Sequence, residues 1–229
     1  MVKSGTLYKR GGSKSGELSV SRLVVKLKAV AWSLRWAGLV LILLAFGGMG
    51  FIFGPLAYQE ARYYVQPPTA ESKLGSALRD VPNWQPPNPA YSLYIPKIRA
   101  KSQVIGNVPV ADEKAYLEAL KRGVAEAAGL SHPGQPGTTY LFAHSTDSPL
   151  NFARYNAVFY LLDKLEAGDW VEVVYQNKLL RYKVVQVQIL EANDTRYLTT
   201  GSPDEILVLQ TCYPPGTSWR RLVVVAKPY

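Results

Sequence analysis

The chain has 229 residues, 48% of them hydrophobic, which is enough for a sizeable core. Its net charge of +9 is unevenly distributed: residues 1–35 contain eight basic residues and one acid, and the remainder carries only +2. A nucleic-acid-binding domain would carry its basic patch on the fold itself. The charge pattern therefore argues against a nucleic-acid partner and identifies residues 1–35 as a basic tail.

The stretch after the tail has no charged residue between Trp36 and Gln59 and predicts one transmembrane helix over residues 36–58. About 20 apolar residues are needed to cross a bilayer core, and Trp36 and Tyr58 suit its two interfaces. Because the basic tail comes first, the positive-inside rule places the N-terminus in the cytoplasm and the C-terminal part outside the cell. A cleaved signal peptide is the alternative, but its apolar core has only about 7–15 residues, so the length favours an uncleaved anchor.

Residues 59–90 are rich in Pro, Gln, Ser and Asn and include Pro86-Pro-Asn-Pro89. A segment of this composition buries little apolar surface and predicts a semi-rigid linker. We therefore expect it to hold a C-terminal domain, residues 91–229, away from the membrane.

Short apolar runs bounded by Gly, Pro and Asn dominate this domain and predict strands. The predicted strands are 92–95, 103–105, 138–143, 170–175, 179–189, 206–209 and 222–226. Helices are predicted over 111–122, with Asp112 near its start, and over 152–165. Together these elements predict a mainly β fold: a closed seven- or eight-stranded β-barrel with one or two short helices, preceded by a single transmembrane helix.

The strands 170–175 and 179–189 flank Gln-Asn-Lys and predict a β-hairpin. Successive side chains of a strand point to opposite faces. The apolar residues of 179–189 break this alternation midway, so they share one face only if a bulge shifts the phase.

Cys212 is the only cysteine, so it cannot form an internal disulfide. Outside the cell such a thiol is either buried and inert or chemically used. The thiolate is the nucleophilic form of cysteine, and a nearby imidazole can take up its proton. His144 ends the strand 138–143, where a barrel can present functional side chains. His132 lies in a Gly- and Pro-rich loop and is expected to face solvent.

Arg220 and Arg221 follow the thiol across a Pro-Pro-Gly turn. An arginine can donate hydrogen bonds to the oxyanion that develops in acyl transfer. If the turn joins neighbouring antiparallel strands, one arginine points toward the thiol and the other away. Alternation alone leaves the choice open, because 222–226 is apolar on both faces.

Four stretches of residues 91–229 resemble the sortase family of cysteine transpeptidases. Leu209-Gln-Thr-Cys212 matches the family's Leu-x-Thr-Cys, and Arg221-Leu-Val-Val-Val-Ala226 is similar to its final, arginine-led strand, which selects Arg221 over Arg220. Thr139-Tyr-Leu-Phe-Ala-His144 resembles the strand that ends in the catalytic histidine, with Ala143 where the family usually has glycine. Leu93-Tyr-Ile-Pro-Lys-Ile98 resembles the opening strand.

The resemblance implies a closed barrel and a membrane-anchored transpeptidase. Cys212 would attack the carbonyl after Thr in a Leu-Pro-x-Thr-Gly-like sorting signal, and His144 would act as base and acid. Arg221 would bind the substrate backbone or the oxyanion, and Thr211 would support the site by hydrogen bonding. An amine of a cell-wall precursor or a pilin would then resolve the thioacyl enzyme.

Other readings of the sequence are weaker. Papain-like peptidases place Cys before His, the reverse of the order here. A non-enzymatic, membrane-anchored extracellular β-domain for binding or scaffolding would bury Cys212 as a small apolar residue. No cofactor is expected, and one Cys and two His without short ligand spacing predict no metal site.

Overall fold

The computed structural model describes residues 14–65, 82, 84–145, 157–198 and 202–229. The chain divides into two compact units, Met1–Phe51 and Ile52–Tyr229. The predicted helix over 152–165 falls partly on residues 146–156, which lie outside the described part. Within the described remainder of that prediction, Leu162–Lys164 forms one 3-10 turn.

One helix, α1 (Lys14–Val65), begins the described chain. Its stretch Val25–Gly54 is long and apolar enough to cross a membrane, and none of its most apolar part is buried inside the protein. The predicted segment 36–58 overlaps this stretch. Helix α1 continues to Val65, so residues 59–65 of the predicted linker are helical.

Eight strands lie in the described part of the Ile52–Tyr229 unit. They are β1 (Tyr91–Ile95), β2 (Ala100–Val108), β3 (Val124–Ala127), β4 (Gly137–Phe142), β5 (Trp170–Tyr175), β6 (Lys178–Glu191), β7 (Glu205–Tyr213) and β8 (Arg220–Pro228). They close into a barrel in the order β1-β2-β3-β4-β7-β8-β6-β5. The predicted closed, mainly β barrel is therefore confirmed.

The predicted helix before β3 is present as α2 (Glu113–Arg122). Asp112 caps it, because its carboxylate accepts a hydrogen bond of 3.0 Å from the backbone N–H of Ala115. Gly123 ends the helix where a Cβ would lie 2.5 Å from the carbonyl oxygen of Gln103, so the chain can pass this close to β2 only with glycine. Helix α2 therefore enters β3 without a loop.

The predicted hairpin is formed by β5 and β6, which pair antiparallel from Tyr175↔Lys178 onward. Its turn residues Gln176 and Asn177 both have positive φ, as a tight two-residue hairpin requires. The register of β6 against β8 shifts between Val184 and Gln186, which is the bulge that the apolar pattern predicts. The bulge keeps Tyr182, Val184 and Val187 on the core side of β6.

The two faces of β7 meet different surroundings, because side chains alternate along a strand. Leu207 and Leu209 are fully buried in the barrel interior with side chains from all around the barrel. Val208 belongs instead to a smaller apolar cluster on the outer face, formed with side chains of β4 and β8. Further along the strand, Thr211 continues the inner row two residues after Leu209, and Cys212 continues the outer row four residues after Val208. The barrel thus presents the thiol on its outer wall.

Candidate active site

The turn between β7 and β8 brings Cys212 and Arg221 together. Their Cα atoms are direct partners in the antiparallel ladder, and Nη1 of Arg221 lies 3.7 Å from the Cys212 sulfur. The same Nη1 donates to the carbonyls of Ser218, at 3.1 Å, and Arg220, at 3.2 Å. The guanidinium is therefore held next to the thiol by the loop that precedes β8 and by the first residue of β8.

Arg220 points away from the thiol. It forms an ion pair with Glu191 on the neighbouring strand β6, with 3.7 Å between Nε and the nearer carboxylate oxygen. Its side chain is 57% exposed. In β7 its partner is Tyr213 rather than Cys212. The geometry therefore puts Arg221, and not Arg220, next to the sulfur.

His144 reaches the site from β4. This strand runs parallel to β7 with Phe142 opposite Gln210, and the pairing extends through the Ala143 N–H, which donates to the Gln210 carbonyl at 3.2 Å. On the other side, the N–H of Phe159 donates to the carbonyl of His144 at 3.4 Å. These backbone bonds fix His144, two residues after the end of β4, next to the C-terminal half of β7.

Thr211 ties the histidine strand to the cysteine strand. Its side chain is 1% exposed, and its hydroxyl donates a hydrogen bond of 2.9 Å to the carbonyl of Ala143. The bond lies in the interior, between the residue before Cys212 and the residue before His144. A buried hydroxyl with this partner fixes the relative position of the two strand ends.

A groove of about 740 Å³ joins these residues, since Cys212, His144 and Arg221 all line it. Tyr140 and Gln210 lie further along the same two strands, and burial raises the pKa of Tyr140 to about 12. Most of the remaining lining is apolar: Val110, Leu117, Leu120, Phe142 and Leu198. Cys212 itself is only partly buried. The groove can therefore admit an extended, partly apolar chain to a reachable thiol.

The arrangement suits acyl transfer. A thiol supplies the nucleophile, an imidazole in the same groove can take up and return a proton, and a guanidinium near the sulfur can donate to an oxyanion. In the described part of the chain, no three His, Cys, Asp or Glu residues lie close enough to hold a metal ion.

The second histidine occupies a different region: His132 is partly exposed, as its loop predicts, but a carboxylate also holds its ring. Its Nδ1 lies 3.0 Å from Oε1 of Glu126, and its side chain is 39% exposed. Glu126 is 1% exposed. It also accepts hydrogen bonds from the Tyr91 hydroxyl at 2.7 Å and the Asn107 N–H at 3.2 Å. The loop composition indicated exposure, but a buried carboxylate six residues upstream holds the ring.

Sequence reasoning missed two groups of residues in and around the barrel. Glu126 could have been found as the one charged residue in the apolar run Val124–Ala127, which itself was not predicted as a strand. Tyr140 and Gln210 could have been found by counting back along strands whose ends carry His144 and Cys212. Gln210 lies two residues before the thiol, and alternation places both on one face.

Comparison with known proteins finds relatives of the barrel domain. The family model described as Sortase domain matches residues 93–229. Sortase D of Bacillus subtilis (strain 168) is 26% identical over 138 residues, which is 59% of this chain and 61% of that protein. The chain thus matches about three fifths of the length of this curated relative.

Two solved structures show the same architecture. Sortase C1 of Streptococcus agalactiae is 26% identical with a TM-score of 0.50, and the match covers 60% of this chain and 66% of that one. Sortase C-1 of Actinomyces oris is 20% identical with a TM-score of 0.52 and covers 76% of this chain and 98% of that one. The second likeness concerns the fold alone.

Proposed function

The chain belongs to the sortase family, and from that premise we propose that it is a membrane-anchored cysteine transpeptidase with Cys212 as its nucleophile. Its substrate is a protein bearing a Leu-Pro-x-Thr-Gly-like sorting signal. The products are a protein joined to an amine and a released C-terminal peptide. One observation carries the proposal: Cys212, His144 and Arg221 come from three strands or strand ends and line one groove.

The first half-reaction forms a thioester. The Cys212 thiolate attacks the carbonyl carbon of the Thr residue in the sorting signal, and the carbonyl π electrons move to oxygen. When the tetrahedral intermediate collapses, the C–N bond breaks, and the leaving amine takes a proton from the His144 imidazolium. The acyl group stays on sulfur, and His144 is left neutral.

The second half-reaction returns the enzyme to its starting state. An amine attacks the thioester carbon while neutral His144 accepts the amine proton. Collapse of the second intermediate breaks the C–S bond and releases the thiolate next to the imidazolium. Water in place of the amine gives hydrolysis, so the balance between the two depends on whether an acceptor occupies the groove.

Arg221 serves both half-reactions in this proposal. Each one places negative charge on the substrate oxygen, within reach of donors close to the sulfur. Support comes from the separation of 3.7 Å between the guanidinium Nη1 and the Cys212 sulfur and from the two carbonyls that fix Nη1. Preorganised donors of this kind contribute about 3–4 kcal/mol to transition-state stabilisation.

Thr211 acts on the site through its partner. Because its hydroxyl binds the Ala143 carbonyl at 2.9 Å, it holds the chain segment that carries His144. We assign it a positioning role, since its side chain belongs to the buried inner row and not to the groove.

The N-terminal apolar helix anchors the enzyme in this proposal. The stretch Val25–Gly54 supports a single membrane crossing, and the basic tail, residues 1–35, favours a cytoplasmic N-terminus. The barrel then acts outside the cell, where secreted proteins with sorting signals and amines of cell-wall precursors or pilins are present. The partly exposed thiol supports this enzyme over a scaffolding β-domain, which would bury Cys212.

A ligation assay tests the proposal. The full chain in detergent micelles is incubated with Leu-Pro-x-Thr-Gly-like peptides varied at each position, together with oligoglycine or lysine-containing acceptors. Mass spectrometry should detect the acyl fragment joined to an acceptor with the wild-type chain and none with Cys212→Ala. Ligation of equal yield by both proteins would show that the thiol is not the nucleophile.

A further inference from the structure

Two polar side chains that line the groove, those of Tyr140 and Gln210, are hydrogen-bonded to each other. The hydroxyl of Tyr140 on β4 donates a long hydrogen bond, 3.4 Å, to Oε1 of Gln210 on β7. Tyr140 is 7% exposed, and Gln210 is half-buried. The lining of the same groove also includes the apolar side chains of Leu117, Leu120 and Leu198. A polar pair retained in such a lining calls for a physical reason, because burying polar groups costs free energy.

The position of Gln210 relative to Cys212 is set by the strand. Both residues lie on the outer face of β7, two positions apart, and two strand residues span about 6.8 Å. An extended peptide that runs alongside β7 covers the same distance in about two residues. A peptide that is acylated on Cys212 and extends toward the start of β7 therefore carries its main chain past Gln210 two residues before the acylated one.

The Tyr140–Gln210 pair is suited to donate a hydrogen bond to the main chain of the peptide. Because Oε1 accepts from the Tyr140 hydroxyl, the amide can use the N–H bonds of Nε2 to donate into the groove. Burial raises the pKa of Tyr140 to about 12, so the phenol keeps its proton at neutral pH and continues to orient the amide. A peptide carbonyl that enters the groove loses water and needs a replacement donor, since an unsatisfied one costs about 1–3 kcal/mol.

We infer that Gln210, oriented by Tyr140, is a positioning residue for the sorting peptide and donates from Nε2 to the main-chain carbonyl two residues before the acylated one. The inference rests on the proposed function and adds a contact away from the reacting atoms. It requires only a carbonyl of the peptide at this point, so proline, which has no N–H, is accommodated there.

Kinetics of single variants test the contact. Gln210→Met keeps the length of the side chain and removes its donors. We expect KM for the peptide to rise about fivefold to tenfold, the equivalent of one lost hydrogen bond, while kcat stays within about twofold. The matched control is Gln186→Met, which removes an exposed glutamine on β6 whose amide bonds Gln188. Its KM and kcat should equal those of the wild type.

A double-mutant cycle tests the role of Tyr140. Tyr140→Phe should raise KM less than Gln210→Met does, and it should add nothing in the Gln210→Met background, because it acts only by orienting the amide. Peptide chemistry gives a second check. Replacing the amide after the contacted carbonyl by an ester weakens that acceptor, and should raise KM for the wild type but not for Gln210→Met. An N-methyl amide at the same bond, which keeps the acceptor, serves as the control peptide.

The outcomes separate the inference from the proposed function. If wild-type enzyme acylates the peptide and Gln210→Met has an unchanged KM, the inference is wrong and the proposed function stands. An effect on amine transfer alone, with acylation unchanged, would also overturn the inference, because it would place the contact on the acceptor side. A fall in kcat together with slower alkylation of Cys212 would show a merely structural effect and count against it. If the wild type forms no thioacyl enzyme at all, the proposed function fails and the inference fails with it.

Discussion

His144 and His132 lie in two regions of the barrel, and their surroundings differ in kind. His144 lines an open groove together with a thiol and a guanidinium. His132 belongs to a group of side chains in mutual contact, with Glu126, Tyr91 and Tyr175, which we call the Glu126 cluster. Its ring stacks on Tyr175 with centroids 5.5 Å apart, and its Nδ1 is held by the Glu126 carboxylate.

The Glu126 cluster satisfies its own polar groups. Three donors surround the buried carboxylate: the Tyr91 hydroxyl, the Asn107 N–H and the His132 ring. Burial, with the nearby Glu126 carboxylate, raises the pKa of Tyr91 well above its usual value, so this hydroxyl stays a donor. Such a network stabilises the loop between β3 and β4. The comparison teaches that the cavity and the neighbouring nucleophile, rather than the imidazole alone, distinguish a reactive histidine from a structural one.

The largest expected contrast is between the two histidines themselves. His144→Gln should lower kcat/KM about 10²–10⁴-fold, because a general acid and base is lost, with little change in the thermal midpoint. His132→Gln should keep kcat/KM within about threefold and lower the stability by about 1–2 kcal/mol, because a hydrogen bond to a buried carboxylate is weakened. Steady-state kinetics and denaturant titration of the full chain measure both. A larger catalytic loss in His132→Gln than in His144→Gln would reverse the assignment.

The two arginines give the next contrast, within the active region. Arg221→Ala should lower kcat about 10²–10³-fold, as expected when a donor to the oxyanion is removed. Arg220→Ala is the matched control, since its exposed ion pair with Glu191 contributes at most about 1 kcal/mol to stability. Its kcat should stay within about threefold of wild type. Comparable losses in the two variants would contradict the role given to Arg221.

Glu126 tests the other region by its effect on stability. Glu126→Leu leaves the Tyr91 hydroxyl and the Asn107 N–H without their partner and should cost about 3 kcal/mol of unfolding free energy. The milder Glu126→Gln keeps one acceptor oxygen and should cost less. Denaturant titration followed by tryptophan fluorescence measures both losses, and kcat of the remaining folded enzyme should be within about threefold of wild type. A catalytic defect in folded Glu126→Gln as large as that of Arg221→Ala would contradict the purely structural role given to the Glu126 cluster.

Thr211 gives the smallest expected effect. Thr211→Val keeps the shape of the side chain but removes the hydrogen bond to the Ala143 carbonyl, so we expect a loss of about 1 kcal/mol in stability. Because that bond holds the segment before His144, kcat should fall about threefold to tenfold. Thr211→Ser, which retains the hydroxyl, should recover most of the kcat. Failure of the serine variant to recover activity would show that the methyl group, and not the hydroxyl, positions the segment.

Prediction from the sequence succeeded where a local pattern determines the structure. Apolar runs predicted β4, β7 and β8, and the break in alternation along residues 179–189 predicted the bulge at Val184–Gln186. Strand β3 escaped prediction because four residues that directly follow a helix, with Glu126 among them, produce no periodic signal.

The site was predictable in part, for a similar reason. The separation of Cys212 and Arg221 by one turn suggests that they meet, but alternation alone could not exclude Arg220, and the choice depended on the resemblance of the final strand. The contact of His132 with Glu126 depends on how a loop folds back over β3, which no local pattern encodes. The Tyr140–Gln210 pair depends on the register between parallel β4 and β7, two strands 68 residues apart.

The central claim is that Cys212 becomes acylated in the groove, and intact-mass analysis tests it most directly. The full chain in detergent micelles is mixed with a sorting-signal peptide in the absence of an amine and quenched in acid. We predict an added mass equal to the acyl fragment, located on Cys212 by digestion, absent from Cys212→Ala and removed when an amine acceptor is supplied. The account is contradicted if no peptide of the library adds mass and a thiol reagent reaches Cys212 only after unfolding.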